Sequence, residues 1–404
     1  MTKLTDPKAI RRTILLLASA YFVSYLTRIN FGAVIYEMVQ DTGFAKADLS
    51  AAVTGAFITY GAGQFLSGWL GDRMQPKVLM LAGLLLSVAM NLLIPFCPTP
   101  AVMTAVWCVN GFAQAFMWPP LVRLMACLFH EDDYRRCTVR VHWGASLGTI
   151  LLYLISPVLI GIAGWKTVFF FSALSGLVMA AFWVKFCVRV DAPQKAADKK
   201  SSGSGAAAIL LAPMMLAVMV AIILMGALRD GVTTWMPTYI GETYNLGTGV
   251  ATLTGVAMPL FGIACQQLAS LLYKKMNGSP LPTAVVLTVL AVASTALLIF
   301  TTGKSAVFSV LGAALLTGSM HGTNMTLISF LPSHFRNTGF VSTISGVLNA
   351  CVYIGSALST YGFAAMSESA GWSATILLWL GLAIGCCLIC LFCIPSWNRR
   401  FAKK

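Results

Sequence analysis

The sequence predicts an all-α membrane protein: twelve transmembrane helices in two six-helix bundles, with both termini cytoplasmic. Three observations lead there. Of 404 residues, 58% are hydrophobic and only 10% are charged, with a mean hydropathy of +0.81. A soluble domain of this size does not carry so few charges. Apolar stretches of about 20 residues, each long enough to cross a bilayer, recur along the chain. The cations alternate between loops: about 22 of the 27 Lys and Arg fall in every second connection and in the tails. Only Lys46, Lys166 and Lys304 lie on the other side, and Arg28 and Arg229 remain inside spans. This asymmetry is the positive-inside pattern and sets the orientation.

Taken in order, the expected spans are 13–38, 49–70, 78–96, 101–129, 138–163, 167–188, 206–240, 249–273, 281–301, 305–335, 338–366 and 372–394. The fourth carries the double proline Pro119-Pro120, and the turn GDRMQPK follows the second. The polar stretch 189–205, with Lys199, Lys200 and a Ser/Gly run, reads as a cytoplasmic linker. It divides an N-terminal bundle, 1–188, from a C-terminal one, 206–404. The basic run Lys3, Lys8, Arg11, Arg12 leads into a span too long for a signal-peptide core, with no small-residue cleavage site after it. The net charge of +14 reports topology rather than a nucleic-acid partner. The 11 cysteines lie mostly in apolar spans. The group Cys386, Cys387, Cys390 and Cys393 has no His or carboxylate to complete a metal set, and the short loops offer no disulfide framework. No metal or cofactor is expected.

The first span holds the most informative residue. An arginine near the bilayer centre costs about 2.5–3.5 kcal/mol on the insertion scale, so Arg28 should face a bundle interior or a wet cavity. On a continuous helix it shares a face with Tyr21, Ser24, Tyr25 and Gly32. Hydroxyl-bearing rings beside a fixed cation suggest one wall of an anion site. Arg229, in GALRDGVTTWMPTYI, occupies the matching first span of the other half. Gly226 and Gly231 flank it, and glycine loosens a membrane helix that lines a cavity. One arginine from each half could clamp an anionic group bidentately across the central axis. Asp230 is adjacent, but consecutive helical residues point about 100° apart, so a direct pair with Arg229 is not assured. His142 with Ser146 and Thr149, His321 with Asn324, Gln64 with Tyr60, and Asn349 with Tyr353 form further polar faces within spans. Gln266 and Gln267 read as packing.

YLTRINFG, the Gly71-Asp72-Arg73 turn, QAFMWPP and LRDGVTTWMPTYI together resemble the organophosphate:inorganic phosphate antiporter family of the major facilitator superfamily. The likeness runs through essentially the whole chain. It implies two six-helix bundles that rock about a midplane site. Arg28 and Arg229 would be the paired phosphate-binding arginines, and Tyr21 and Tyr25 would line the same cavity. Gln64, His142 and Tyr353 complete the candidate binding set; Asp72, Arg73 and Asp230 are the candidate gating or coupling groups. There are departures: where glycerol-phosphate members carry two lysines and a histidine, this chain has Ile29, Gln64 and Ala145, and Asp230 adds a negative charge.

The expected function is secondary active transport of an organic anion, foremost a phosphorylated metabolite exchanged for inorganic phosphate by a monomer in the cell inner (plasma) membrane. A proton-coupled carboxylate symporter and a transporter-like sugar-phosphate sensor are the alternatives. No nucleophile–base set, phosphate loop or metal motif points to an enzyme.

Overall fold

The computed structural model describes residues 3–44, 46–188, 204–245 and 257–401. Among them there are helices and no strands. Most of the expected linker, and the first part of the expected eighth span, lie outside the described residues.

Helices form where apolar runs are punctuated by proline. Pro7, Pro76, Pro100, Pro213 and Pro280 each open a helix, where a missing N–H costs nothing. Asp6 caps the first helix by accepting from the amides of Lys8 and Ala9 at 3.2 and 3.0 Å. The helices are α1 (Pro7–Leu26), α2 (Asn30–Thr42), α3 (Lys46–Arg73), α4 (Pro76–Leu93), α5 (Pro100–Ala115), α6 (Trp118–Leu128), α7 (Glu131–Ala163) and α8 (Lys166–Phe186). They continue with the short α9 (Ser204–Leu210), then α10 (Pro213–Tyr244), α11 (Ala257–Lys275), α12 (Pro280–Thr301), α13 (Ala306–Asn324) and α14 (Val341–Phe401), the last interrupted at Gly371.

Ten described helical stretches are long and apolar enough to cross a membrane. The remaining two expected spans also have helices in place. α3 covers 49–70 but is diluted by Gly, Thr, Ser and Gln, and α11 carries the described part of 249–273. Three expected spans are broken: the seventh, 206–240, parts at Leu211–Ala212 between α9 and α10. The fourth divides at Phe116–Met117 ahead of the double proline. The first, expected to be continuous, divides at Thr27–Ile29.

Contacts group the chain into two compact units, 1–199 with 332–350, and 200–331 with 351–404. Residues 332–350 join the first because α3 and the start of α14 cross at glycines. A Cβ on Gly68 would sit 2.9 Å from the Ser342 carbonyl oxygen and 3.3 Å from the Gly346 Cα. Within the first unit α3 packs on α5, α1 on α7 and α4 on α8; within the second, α11, α12 and α10 each pack on α13. One core cluster of the first unit includes four aromatic rings, Phe31, Trp107, Trp165 and Phe169, all 0–3% exposed.

An internal repeat is written in the side chains. In the first unit the Trp165 indole N–H donates to Asp41 at 2.8 Å. In the second, Trp372 donates to Glu242 at 2.7 Å. Each tryptophan follows a glycine of nearly identical backbone, Gly164 at φ 78°, ψ 178° and Gly371 at φ 80°, ψ 173°. Each carboxylate lies 13 residues after a midspan arginine, Arg28 or Arg229. The two arginines are therefore equivalent positions of a duplicated unit.

That backbone region is open essentially to glycine alone. Gly164→Ala and Gly371→Ala should each cost about 1–3 kcal/mol, seen as a lower thermal midpoint of the purified protein. Unchanged midpoints would show that the turns do not need this conformation.

Candidate functional site

Neither Gly nor Pro explains the break in the first span. Thr27 and Ile29 lie at φ −88°, ψ −3° and φ −100°, ψ −6°, and the Arg28 amide donates to Tyr25 O, three residues back, at 3.2 Å. The Thr27 carbonyl leaves the helical ladder and needs donors that lipid cannot give. Asn91 Nδ2 on α4 and Asn110 Nδ2 on α5 supply them, at 2.9 and 3.1 Å. Past the break, Asn30 Nδ2 donates to Asn91 Oδ1 at 2.7 Å and to Ser172 Oγ on α8 at 3.1 Å. Gln114 Nε2 donates to Thr27 Oγ1 and Ser87 Oγ, both at 2.8 Å. Ser87 Oγ donates to Asn110 Oδ1 at 2.6 Å. All seven residues are at most 1% exposed. None of these amides stands out from the sequence as functional. The available signal was one amide or hydroxyl in each of several apolar spans.

The break leaves Arg28 half-buried, its guanidinium carbon 3.8 Å from the centre of the Tyr60 ring and 5.6 Å from that of Tyr25. A cation over aromatic faces is stabilised where water is scarce. A small cleft beside it is lined by Phe57, Tyr60, Trp107 and Asn110. Tyr25 stands 5.4 Å from Tyr21, Tyr21 stands 5.2 Å from Trp118, and Trp118 meets His142 edge-on at 5.1 Å. The structure thus gathers Tyr21, Tyr25, Arg28 and His142 in one unit. Trp118 bridges them, a role not visible in its motif. Gly32, expected on the same face, lies beyond the break and is exposed. Gln64 is fully buried; its Nε2 donates to Ala115 O at 3.4 Å and its Oε1 accepts from Asn349 at 3.1 Å.

The second unit holds Arg229. Gly226 lies so close to α14 that a methyl group would collide with the Val352 backbone, and one on Gly355 would collide with Ile223. This approach lets Ser356 reach across. Arg229 Nε and Nη2 donate to the two Asp230 oxygens at 2.6 and 2.7 Å, and the Ser356 hydroxyl donates to Asp230 Oδ2. The adjacent pair that helical geometry left unassured is formed, through both Nε and Nη2 of Arg229. His321 on α13 lies near enough to interact electrostatically with both members of the pair. Tyr353, half-buried, precedes Ser356 on α14.

Asp72 lies elsewhere, at the end of α3. Its oxygens accept from the amides of Ser342 and Thr343 at 2.9 and 2.7 Å, capping the α14 N-terminus as a carboxylate does best. Arg73 folds onto Trp69, 4.1 Å from that ring, and donates to Trp69 O at 3.1 Å. Arg123, counted from sequence only as a topological charge, is buried and donates to the carbonyls of Gly71 and Met74. It fastens the turn that carries Asp72. No group of three or more metal-ligating side chains occurs among the described residues.

The Major Facilitator Superfamily family model matches residues 17–360. Similar curated proteins include a probable hexose phosphate transport protein of Chlamydia muridarum, 23% identical over 410 residues, covering 94% of this chain and 89% of that one. The glycerol-3-phosphate transporter of Bacillus subtilis is 32% identical over 177 residues, 42% of this chain and 39% of that one. Membrane sensor protein UhpC of Salmonella typhimurium is 23% identical over 271 residues, 61% and 60% of the two chains. Among solved structures, the superfamily transporter FucP in the outward conformation gives a TM-score of 0.79 at 12% identity, covering 95% of this chain and 99% of that one. The human organic anion transporter MFSD10 gives 0.77 at 15%, covering 96% and 100%. The chain belongs to the Major Facilitator Superfamily: it is a multi-pass membrane transporter of that fold, not an enzyme.

Asn91 and Asn110 share one acceptor, so their contributions should couple. Each alanine variant should cost about 1–3 kcal/mol, and the double-mutant cycle should return an interaction energy of at least about 0.5 kcal/mol in thermal or denaturant unfolding. Strict additivity would show that the Thr27 carbonyl does not join them.

Proposed function

With superfamily membership as the premise, we propose that this protein carries a phosphorylated organic anion across the membrane in exchange for inorganic phosphate, by alternating access. The observation that carries the reading is the repeated midspan arginine. Arg28 and Arg229 hold equivalent places in a duplicated unit, and a buried guanidinium is suited to phosphate oxygens by its fork of donors. The names of the relatives support the same cargo: a hexose phosphate transport protein and a glycerol-3-phosphate transporter.

Arg28, Tyr21, Tyr25 and His142, with Trp118 and Tyr60, form the solute-binding surface of the first unit. Arg229 and Tyr353 serve the second. Gln64 completes the first set by fixing α3 against Asn349. Asp72 and Arg73 act in gating, Asp72 through its hold on the start of α14. The twelve-span layout divides into bundles 1–188 and 206–404 joined by a cytoplasmic linker. Both termini are cytoplasmic, and the protein works as a monomer in the cell's inner (plasma) membrane.

Proteoliposomes loaded with labelled phosphate should release it only when an organic phosphate such as glycerol 3-phosphate or glucose 6-phosphate is outside. Arg28→Ala and Arg229→Ala should each slow exchange at least tenfold, since a charge-assisted hydrogen bond contributes about 1.5–3 kcal/mol. Release without an external organic phosphate, or undiminished exchange in both variants, would overturn the proposal.

A further inference from the structure

The two equivalent arginines stand in unlike surroundings. Arg28 lies over the Tyr60 ring, whereas Arg229 is held by Asp230 through two charge-assisted bonds of 2.6 and 2.7 Å. The Arg229 side chain is 12% exposed and that of Asp230 is 32% exposed, so the carboxylate is the more accessible member. Ser356 donates to the same Asp230 oxygen that Arg229 Nη2 reaches. The carboxylate thus presents two oxygens to one edge of the guanidinium, as a phosphate or carboxylate solute would.

We propose, on the reading that Arg229 binds the solute anion, that Asp230 is a resident counter-anion. It occupies the Nε/Nη2 edge of Arg229 until the solute arrives, and solute binding is coupled to its neutralisation. The step balances simply. The carboxylate takes a proton from solvent as it gives up Arg229, and the solute's oxygens replace it on the guanidinium. The proton leaves when the solute does and the ion pair re-forms. With Asp230 ionised, an incoming anion meets a like charge beside its own ligand and finds Arg229 already compensated. With Asp230 neutral, the full positive charge of Arg229 is available. Among the described residues, the charged and titratable groups that act on Asp230 are Arg229 on its own helix and His321 on α13; α14 contributes the Ser356 hydroxyl and, three residues earlier, Tyr353. Asp230 thereby sets the site's selectivity, by favouring solutes that bind together with a proton.

The test uses purified full-length protein and inorganic phosphate as probe, titrated calorimetrically at pH 6 and pH 8 in buffers of different ionisation enthalpy. At each pH the wild type is compared with Asp230→Asn, so that the probe's own ionisation cancels. At pH 8 the variant should bind phosphate at least a hundredfold more tightly. The gap should narrow by roughly tenfold per pH unit toward pH 6, as a single coupled proton requires, and the wild type should take up one more proton per phosphate. Ser356→Ala should loosen the carboxylate and bind phosphate at least threefold more tightly, keeping the extra proton; this variant decides the matter if Asp230→Asn does not fold. Equal affinities and proton counts in wild type and Asp230→Asn would overturn the inference alone, as would weaker binding in that variant. Absence of phosphate binding by the wild type, or binding unchanged in Arg229→Ala, would instead overturn the functional reading on which it rests.

Discussion

The structure of the first unit turns on one carbonyl group. Thr27 O has left its helix, and a peptide oxygen stranded in hydrocarbon costs several kcal/mol unless donors are brought to it. Two asparagine amides reach it from α4 and α5, and further bonds from Asn30, Ser87, Gln114 and Ser172 lock those amides in place. The network is almost wholly screened from solvent. It fixes where α1 stops and α2 begins, and so where Arg28 stands. The position of the charge follows from hydrogen bonds made by uncharged groups around it.

The same problem, an arginine inside a membrane, is solved twice and differently. Arg28 stands over the faces of Tyr60 and Tyr25, a run of rings that extends through Tyr21 and Trp118 to His142. Arg229 meets a carboxylate on the next residue, held by a serine from α14 that glycine packing brings within reach. The frame around the two positions is nonetheless repeated: glycine turn, tryptophan, and a carboxylate 13 residues beyond the arginine. The supports recur in both units, and the side chains named around the two charges differ.

Much of this was legible in the sequence because burial in lipid is a coarse constraint. Apolar length and the placement of lysine and arginine are enough to lay out the helices, and a charge in mid-span draws attention to itself. The departures have local causes. The break at Thr27–Ile29 carries no glycine or proline; it depends on amides more than 60 positions away in sequence. The Arg229–Asp230 pair joins consecutive residues, which helical direction alone does not bring together. Arg123 looked like one more inward-side cation, yet its donors end on the carbonyls of the turn bearing Asp72. The Trp165–Asp41 and Trp372–Glu242 bonds could have been suspected from their matching register, but only folding brings each tryptophan to its carboxylate.

The central claim is that the repeated arginines bind a phosphorylated anion. The most direct measurement is a thermal-shift screen of the purified protein against phosphate esters, inorganic phosphate and simple carboxylates, repeated with Arg28→Ala and Arg229→Ala. A ligand at 100 times its dissociation constant stabilises by about 2.7 kcal/mol. The account predicts a clear upward shift with phosphate esters and inorganic phosphate in the wild type, lost in both variants. Stabilisation by carboxylates alone, or by phosphate esters to the same degree with either arginine removed, would contradict it.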